Sequence, residues 1–291
     1  MKQELERAEK EWSVLNPQHR AVLKERWDGK AVSWEQELRN NENKRRHHEN
    51  RILSTIDWLE DFGLFQGDCD VADIGCGPGR FVAEFAKKSH YAVGLDISPK
   101  MVEYGKQYAK EEGLANAEFF VEDFASMDVH SRGWEKKFDL AFSSITPAIR
   151  GKEGLENLMA ISRKWCFNSC FVNFSNDLHK DIMNDLFQRA PRREKTSHSH
   201  WFKQLFDLLW LRGYHPYVHY FKEHREECHT VDREFANNNA SFLLEGTASE
   251  ENMERIFRYL EAKADQDGKV SFASECWYGW LLWDVNDRVE R

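Results

Sequence analysis

The chain has 291 residues, of which 41% are hydrophobic and 13% aromatic, so it can bury a sizeable core. Its formal net charge of -9 argues against a nucleic-acid partner, because neutralising phosphates requires clustered Lys and Arg. No apolar run approaches the roughly twenty residues needed to span a bilayer, so we expect no membrane partner. Six cysteines without a Cys-x-x-Cys pair and without a recognisable secretory leader favour a reducing cytoplasm.

The first 62 residues precede the first predicted strand and have the pattern of polar helices. We interpret residues 1–62 as a helical cap on the core that follows. Trp27 and Trp34 interrupt the polar pattern, and two interpretations stay open: they pack the cap onto the core, or they contact a ligand. Ile52 and Ile56 lie on one side of the last helix of this cap.

Residues 71–80 predict a short buried strand that runs into a glycine-rich turn and then into a helix. The turn has three glycines at alternate positions, Gly75, Gly77 and Gly79. Glycine is needed where φ is unusual or where a Cβ would block a ligand, and the helix N-terminus offers unpaired N–H groups. A dinucleotide fingerprint would have its third glycine at Arg80. Asp73, two residues before the turn, suits a cationic amine better than a pyrophosphate.

Three further strands are predicted after this turn, at 91–96, 117–124 and 138–144, with amphipathic helices between them. Asp96 ends the second strand, where a carboxylate can accept hydrogen bonds from two ribose hydroxyls. Acids also end the third strand, at Asp123. This order describes a parallel sheet with its ligand contacts at the carboxyl edge.

The series resembles the class I S-adenosylmethionine-dependent methyltransferases of small-molecule type, in which Asp-x-Gly-x-Gly-x-Gly is the first cofactor motif. The resemblance implies an α/β fold with a Rossmann-like, mostly parallel seven-stranded sheet and helices on both faces. It also implies S-adenosyl-L-methionine as the cofactor. By resemblance, the cofactor-binding residues are Asp73, Gly75, Cys76, Gly77, Gly79, Asp96, Ile97, Met101, Asp123, Phe124 and Ser143.

The resemblance gives these residues different parts of the cofactor. Asp73 and the glycine turn would surround the methionine part, with Cys76 contributing backbone, and Asp96 would hold the ribose. Ile97 and Met101 would pack against the adenine. Asp123 with Phe124 would take its amino group and ring face, and Ser143 would lie under the transferred methyl.

The cap also resembles this family, because Trp27 begins a Trp-Asp-x-x-Ala segment like the one ahead of the cofactor turn in many small-molecule methyltransferases. There the segment helps to close the site over cofactor and acceptor. We therefore assign Trp27, Trp34 and Thr146 to the substrate side and the lid of the site. Thr146 lies where amino methyltransferases of nucleic acids have Asn or Asp followed by Pro-Pro and an aromatic residue, a motif that is absent here.

The rest of the chain departs from the family pattern. We assign residues 63–291 to one methyltransferase core with polar insertions at about 176–198 and 223–268. Strands are predicted at 166–174, 217–222 and 277–285, the last two as an antiparallel pair. Elaborated loops at the carboxyl edge are expected to select the acceptor.

Histidines are the candidate general bases, because several lie in segments expected to border the crevice. The candidates are His47, His48, His198 and His200, and no motif marks any of them. Histidines also crowd the segment 198–229, which leaves a metal-binding interpretation open. Paired ligand spacing is missing there, so we assign no metal ligands.

The favoured hypothesis is S-adenosylmethionine-dependent methyl transfer to a small-molecule acceptor, producing S-adenosylhomocysteine. Two alternatives remain: a cofactor-binding regulator without catalysis, or a metal-handling module that uses the histidine-rich C-terminal region. The sequence predicts neither the nucleophilic atom of the acceptor nor an oligomeric state.

Overall fold

The computed structural model describes residues 2–14, 20–189, 197–244 and 248–289. Its strands are β1 (Asp70–Ile74), β2 (Tyr91–Asp96), β3 (Ala117–Val121), β4 (Phe138–Ser144), β5 (Ser162–Asn176), β6 (Tyr217–Thr230) and β7 (Lys269–Asp284). Its helices are α1 (Lys2–Val14), α2 (Arg20–Asn40), α3 (Glu42–Glu60), α4 (Arg80–Lys88), α5 (Pro99–Glu111), α6 (Lys152–Ile161), α7 (Asp177–Phe187), α8 (Ser197–Leu211), α9 (Arg233–Leu243) and α10 (Glu250–Lys263). Within these described ranges, no helix is both long and apolar enough to cross a bilayer.

The strands form one seven-stranded sheet in the order β3-β2-β1-β4-β5-β7-β6. The pairs β1–β2, β1–β4, β2–β3 and β4–β5 are parallel. Asp73 in the central strand β1 is in register with Gly94 of β2 and Phe142 of β4. Parallel register aligns the carboxyl ends of these strands at one edge, which confirms the predicted fold class.

The residues of the first strands explain their burial. The central residues of β1 and β2 are buried and mostly apolar, as expected for parallel strands covered on both faces. β3 ends at Val121, earlier than predicted, and a short 3-10 turn, Phe124–Ser126, follows. This turn places Asp123 and Phe124 beyond the end of the strand.

The N-terminal helices are joined to the core by buried side chains. Trp12 of α1 is 3% exposed, and its indole N–H donates to the Gly151 carbonyl oxygen at 2.9 Å. Helix α2 packs against α3 and α5, and its Ala31 and Glu35 are buried. The cap therefore contributes to the folded core as well as covering it.

The chain divides into two compact units. The first contains Met1–Cys170, Trp201–His219 and Gly279–Arg291, and the second contains Phe171–His200 and Tyr220–Tyr278. In the second unit, α7, α9 and α10 pack on one another around an apolar cluster. The cluster includes Leu178, Ile182, Ala236, Ala240, Ile256 and Leu260.

The strands β6 and β7 are longer than the sequence pattern predicted. β6 continues beyond position 222 to Thr230, and β7 begins at Lys269 instead of 277. The added part of β6 is rich in charged residues, which hides the alternation typical of a strand. Its charges are paired locally: Arg225 donates to Glu223 and to the Tyr278 hydroxyl.

Candidate active site

The turn between β1 and α4 is held by backbone hydrogen bonds to the end of β2. The N–H groups of Gly75 and Cys76 both donate to the Leu95 carbonyl oxygen, at 2.7 and 2.9 Å. The three glycines of the turn have positive φ angles of 73°, 52° and 73°, where a side chain is strained. The turn thus fixes the ends of β1 and β2 beside each other.

The three glycines differ in what a Cβ atom would contact. A Cβ on Gly75 would collide with the Thr146 side chain, so the connection after β4 passes directly against the turn. A Cβ on Gly79 would collide with the Phe119 ring, where the start of α4 packs on β3. Nothing lies within 4 Å of the corresponding position on Gly77. Gly77 is therefore the glycine whose bare backbone faces open space.

Asp96 ends β2, and both of its carboxylate oxygens accept backbone hydrogen bonds. Oδ2 accepts from the Gly77 N–H and Oδ1 from the Ser98 N–H, each at 2.9 Å. Burial raises the pKa of Asp96, and these N–H groups act in the opposite direction. The Ile97 N–H also forms a hydrogen bond with this carboxylate. A carboxylate has about four lone-pair sites, so the side chain is fixed by the turn and can still accept a further donor.

Asp73 is a buried acid at the end of β1, with 3% of its surface exposed. Burial raises its pKa well above the ordinary value, and the negative charge of Asp96 raises it further. Within the described part of the chain, no hydrogen bond compensates the Asp73 carboxylate. A cationic group placed near it would favour its ionised form.

A cavity of about 840 Å³, its open mouth included, lies beyond the turn. Its wall contains most of the predicted site residues: Trp27, Trp34, Gly75, Gly77, Asp96, Ile97, Met101, Asp123, Phe124 and Thr146. The structure therefore brings together segments from β1, β2, β3, β4 and the cap. The contacts of each residue with a cofactor stay a prediction.

Two tryptophans of α2 form part of this wall. The rings of Trp27 and Trp34 lie 5.5 Å apart and are tilted by 58°. The Lys30 ammonium lies over both rings, 5.2 and 5.6 Å from their centroids. Trp34 is 42% exposed although it lines the cavity. A large apolar side chain that stays exposed at a cavity is suited to contact a ligand.

A buried ion-pair cluster fastens α2 to the helix that follows the glycine turn. Glu35, 4% exposed, pairs through Oε1 with Arg39 at 2.6 Å and with Arg80 at 2.9 Å. The Arg80 guanidinium also lies 3.5 Å from the Tyr108 ring centroid. Because Arg80 directly follows Gly79, the cap is attached to the first cofactor motif.

Four predicted cofactor residues lie behind the cavity wall. Asp73 and Cys76 are buried, and the Gly79 position is filled by packing on Phe119. Ser143 is placed differently from our expectation: its hydroxyl donates to the Phe167 carbonyl oxygen at 3.1 Å and accepts from Asn168 at 3.0 Å. Both bonds join β4 to β5, so the Ser143 hydroxyl is used inside the sheet and does not line the cavity.

The candidate histidines are not gathered at the cavity. His47 and His48 lie on α3, where His48 lines a separate charged groove, and His200 is exposed near the start of α8. The side chain of His198 lies outside the described part of the chain. None of the three described histidines forms part of the wall. The role of these histidines as general bases stays a prediction.

Further along the chain, the histidines have aromatic and acidic neighbours. The His219 ring packs between Trp58 and Trp280, and His229 pairs with Glu227 at 3.3 Å. Among the residues that the structure describes, no group of three or more His, Cys, Asp or Glu is arranged to hold a metal ion.

Sequence reasoning missed part of the wall. The residues are Leu95, Glu122, Ala125, Ile145, Pro147, Ala148 and Arg150. Most are apolar or small and lie beside predicted site residues. Arg150 differs, because it is a single basic residue in an otherwise apolar loop after β4. A charge at the carboxyl edge of a sheet is a signal that could have identified it.

Comparison with known sequences gives the same assignment for the central part of the chain. The sequence model of the family described as "Methyltransferase domain" matches residues 66–177, which contain β1 to β5. The 2-heptyl-1-hydroxyquinolin-4(1H)-one methyltransferase of Mycobacteroides abscessus is 36% identical over 75 residues, 26% of this chain and 31% of that protein. A 23S rRNA (uracil(1939)-C(5))-methyltransferase of Klebsiella pneumoniae is 31% identical over 105 residues, 36% of this chain and 23% of that protein. The matches span less than a third of the length of these relatives.

Solved structures with a similar fold include two methyltransferases. The magnesium protoporphyrin IX methyltransferase of Synechocystis with bound SAH has a TM-score of 0.49 and 17% identity, over 73% of this chain and 94% of that one. A putative methyltransferase of Bacillus halodurans has a TM-score of 0.48 and 15% identity, over 80% and 99% of the two chains. Both likenesses are at the level of the fold.

The family match includes the glycine turn and every strand that ends at the cavity. The seven-strand order and the acid at the end of β2 agree with it. Residues 66–177 therefore match a methyltransferase domain, and the sheet formed by β1 to β5 lies within this matched region.

Proposed function

We propose that the protein transfers a methyl group from S-adenosylmethionine to a small-molecule acceptor and releases S-adenosylhomocysteine. The observation that carries this proposal is the cavity in which the cofactor motifs face the tryptophans of α2. The wall is largely apolar and has a few polar groups, which is the composition typical of small-molecule sites.

The residues present fit the cofactor. Gly77 leaves open space at its Cβ position, and Asp96 retains hydrogen-bonding capacity for a ligand hydroxyl. Asp73 is an uncompensated buried acid close to the turn, which suits the cationic methionine part. Met101 and Phe124 supply apolar surface for a flat ring. These are the residues that would hold the cofactor.

When bound, S-adenosylmethionine supplies an activated methyl group together with its leaving group. The chain's own residues are then needed to orient the acceptor and to exclude water. Trp27 and Trp34 are placed to do both, because they line the cavity from the cap. On the other side of the cavity, the backbone of the glycine turn and Asp96 would hold the cofactor in place.

The ionisable residues of the wall bear on how the nucleophile of the acceptor loses or keeps its proton. Among the described residues, its ionisable groups are Asp96, Glu122, Asp123 and Arg150. Glu122 is paired with Arg132 at 3.0 Å. Imidazole, thiol and amine groups are absent from this described wall, so proton abstraction by such a base is not part of the proposal. The acceptor is inferred to present its lone pair without help from a strong base.

A small molecule is the favoured acceptor because the cavity wall is largely apolar and the chain carries a net charge of -9. An RNA acceptor would require a cationic surface for its phosphates. The named relatives act on a hydroxyquinolone and on ribosomal RNA, so an experiment should compare both classes of acceptor.

The test has two stages. Titration calorimetry measures binding of S-adenosylmethionine, and a time course then measures S-adenosylhomocysteine formed with a small-molecule pool or with total RNA. We expect binding, and product with the small-molecule pool only. Product with RNA alone would contradict the choice of acceptor. Binding without product in either pool, above a no-acceptor control, would favour the non-catalytic regulator.

A further inference from the structure

Arg150 is the one cation on the described wall of the cavity. It lies in the loop between β4 and α6, and its N–H donates to the Pro147 carbonyl oxygen at 3.0 Å. The neighbouring Gly151 carbonyl accepts the indole N–H of Trp12, so helix α1 holds this part of the loop. Arg150 is therefore fixed at the cavity by backbone contacts on both sides.

The guanidinium has an aromatic neighbour but no acidic partner among the described residues. It contacts the ring of Trp201. Its Nε atom is buried without a hydrogen-bond acceptor. The group that interacts with it electrostatically is Cys170, and burial raises the pKa of that thiol to about 12, so it carries no charge at neutral pH.

The pKa of Arg150 agrees with the lack of an acidic partner among the described residues. Burial lowers the pKa of Arg150 to about 9, which leaves it protonated at neutral pH. Two other partly buried arginines are paired with acids: Arg80 with Glu35, and Arg225 with Glu223. A partly buried cation without an anion is costly, and a ligand anion would remove that cost.

We propose that Arg150 binds an anionic group of the acceptor, so that the substrates of this enzyme are small molecules with a carboxylate or a similar planar oxyanion. This inference rests on the proposed function and specifies its acceptor. A guanidinium matches a carboxylate through two parallel N–H···O bonds. Arg150 then determines specificity by fixing the acid group, while the reacting atom of the acceptor faces the cofactor.

The other residues of the wall indicate the chemistry of the rest of the acceptor. Ile145, Pro147 and Ala148 are apolar neighbours of Arg150 in the same loop, and Trp27 and Trp34 add aromatic surface. Flat apolar groups are stabilised by such surfaces. A small aromatic acid therefore combines both features, and its neutral amide keeps the shape while losing the charge.

The experiment compares matched acids and amides at saturating S-adenosylhomocysteine. The probes are benzoate with benzamide, and indole-3-acetate with indole-3-acetamide, measured by titration calorimetry. In wild type we expect the acid of at least one pair to bind about tenfold more tightly than its amide, as for a charge-assisted pair. In Arg150→Gln, acid binding should fall by roughly 10- to 100-fold while amide binding stays within about twofold.

Two further variants separate recognition from folding. Arg150→Lys should retain part of the acid preference, because it keeps the charge but not the planar fork. Arg258→Gln is the matched control, since Arg258 is an exposed arginine of α10 that pairs with Glu254. It should behave as wild type. Melting temperatures of all variants show whether Arg150→Gln is folded, and Arg150→Lys replaces it if it is not.

Each outcome decides the inference. If no acid binds wild type more tightly than its amide, or if the preference survives in Arg150→Gln, Arg150 does not recognise an anion. A lower melting temperature with an unchanged acid-to-amide ratio would show that it only packs on Trp201. Binding of S-adenosylhomocysteine is measured first on the same samples. If S-adenosylhomocysteine does not bind, the proposed function is contradicted. The acid and amide titrations are then repeated on the protein without S-adenosylhomocysteine, where they still test anion recognition by Arg150.

Discussion

The Ser98 hydroxyl donates a hydrogen bond to the Asp28 carboxylate and thereby joins helix α2 to the loop that follows Asp96. The same hydroxyl accepts the Met101 N–H at 3.2 Å, and the Ser98 N–H donates to Asp96 at 2.9 Å. One serine thus contacts the cap, Asp96 and the first turn of α5. Cap position and cofactor binding are expected to depend on each other.

This relationship predicts a coupling that a double-mutant cycle can measure. Asp28→Ala and Ser98→Ala should each weaken S-adenosylmethionine binding, and the double variant should lose less than the sum of the two. The expected coupling is about 0.5–2 kcal/mol, typical of residues in direct contact. Calorimetry on the four proteins gives the value. Additive losses would show that the hydrogen bond does not transmit cap position to the site.

The second prediction concerns Asp96. Asp96→Ala removes an acceptor for two ribose hydroxyls and should cost roughly 2–4 kcal/mol of cofactor affinity. It also leaves the Gly77 and Ser98 N–H groups without their acceptor, so the melting temperature should fall. Asp96→Asn keeps oxygen and shape and should lose less. Unchanged affinity in Asp96→Ala would contradict the placement of the second motif.

The third prediction separates the cofactor turn from general backbone strain. Gly77→Val should abolish cofactor binding without unfolding the chain, because its Cβ position faces open space at the cavity. Gly133→Val is the matched control: Gly133 also has a positive φ, of 68°, and open space around it, but does not line the cavity. Both variants carry similar strain. Normal binding in Gly77→Val would mean that this turn is not the cofactor loop.

The fourth prediction is a pH dependence that follows from Asp73. Its raised pKa means that the free protein keeps a proton that the unfolded chain releases near the ordinary carboxyl pKa of 3.8. The stability contributed by that proton is present at low pH and is lost as pH rises towards the raised pKa. A cationic ligand favours the ionised acid, so cofactor affinity should instead increase with pH over this window.

Calorimetry in buffers of different ionisation enthalpy measures the protons released on binding. Wild type should release protons within this window, and Asp73→Asn should release fewer and show a flatter affinity profile. Because Asp96 also has a raised pKa, the difference between the two proteins is the relevant quantity. Equal proton release from both would exclude Asp73 as the acid that faces the cationic part.

The fifth prediction tests the role of the cap. Trp34→Ala should lower turnover on the order of tenfold to hundredfold through poorer alignment of the acceptor, with a modest loss of cofactor affinity. Trp210→Ala is a suitable control, because Trp210 is 44% exposed, close to the 42% of Trp34, and does not line the cavity. Turnover per folded molecule that stays near wild type in Trp34→Ala would mean that this tryptophan only packs.

Point variants are a sharper test of the cap than removal of residues 1–40. Trp12, Ala31 and Glu35 are buried, so truncation would uncover part of the core as well as open the cavity. We still expect the truncated chain to lose most of its turnover. Its melting temperature should also fall, which point variants of exposed residues avoid.

Local patterns in the sequence predict the glycine turn and the sheet around it. Gly75, Gly77 and Gly79 between an apolar strand and a helix are local signals, and so is an acid at the end of the next strand, Asp96. Such patterns depend on few neighbours, because strand period, helix capping and positive φ are set within several residues. The match of this region to a methyltransferase domain could therefore be predicted from its own residues.

Which side chains line the cavity depends on tertiary contacts between distant segments, so local patterns do not predict it. Ser143 and Arg150 lie near the end of the same strand, yet one bonds inside the sheet and the other lines the cavity. The packing of β5 and α8 against these residues makes this difference, and both elements are distant in sequence from the cofactor turn. Chemistry that relies on long-range contacts cannot be read from local pattern, because those contacts form only when separate segments fold together.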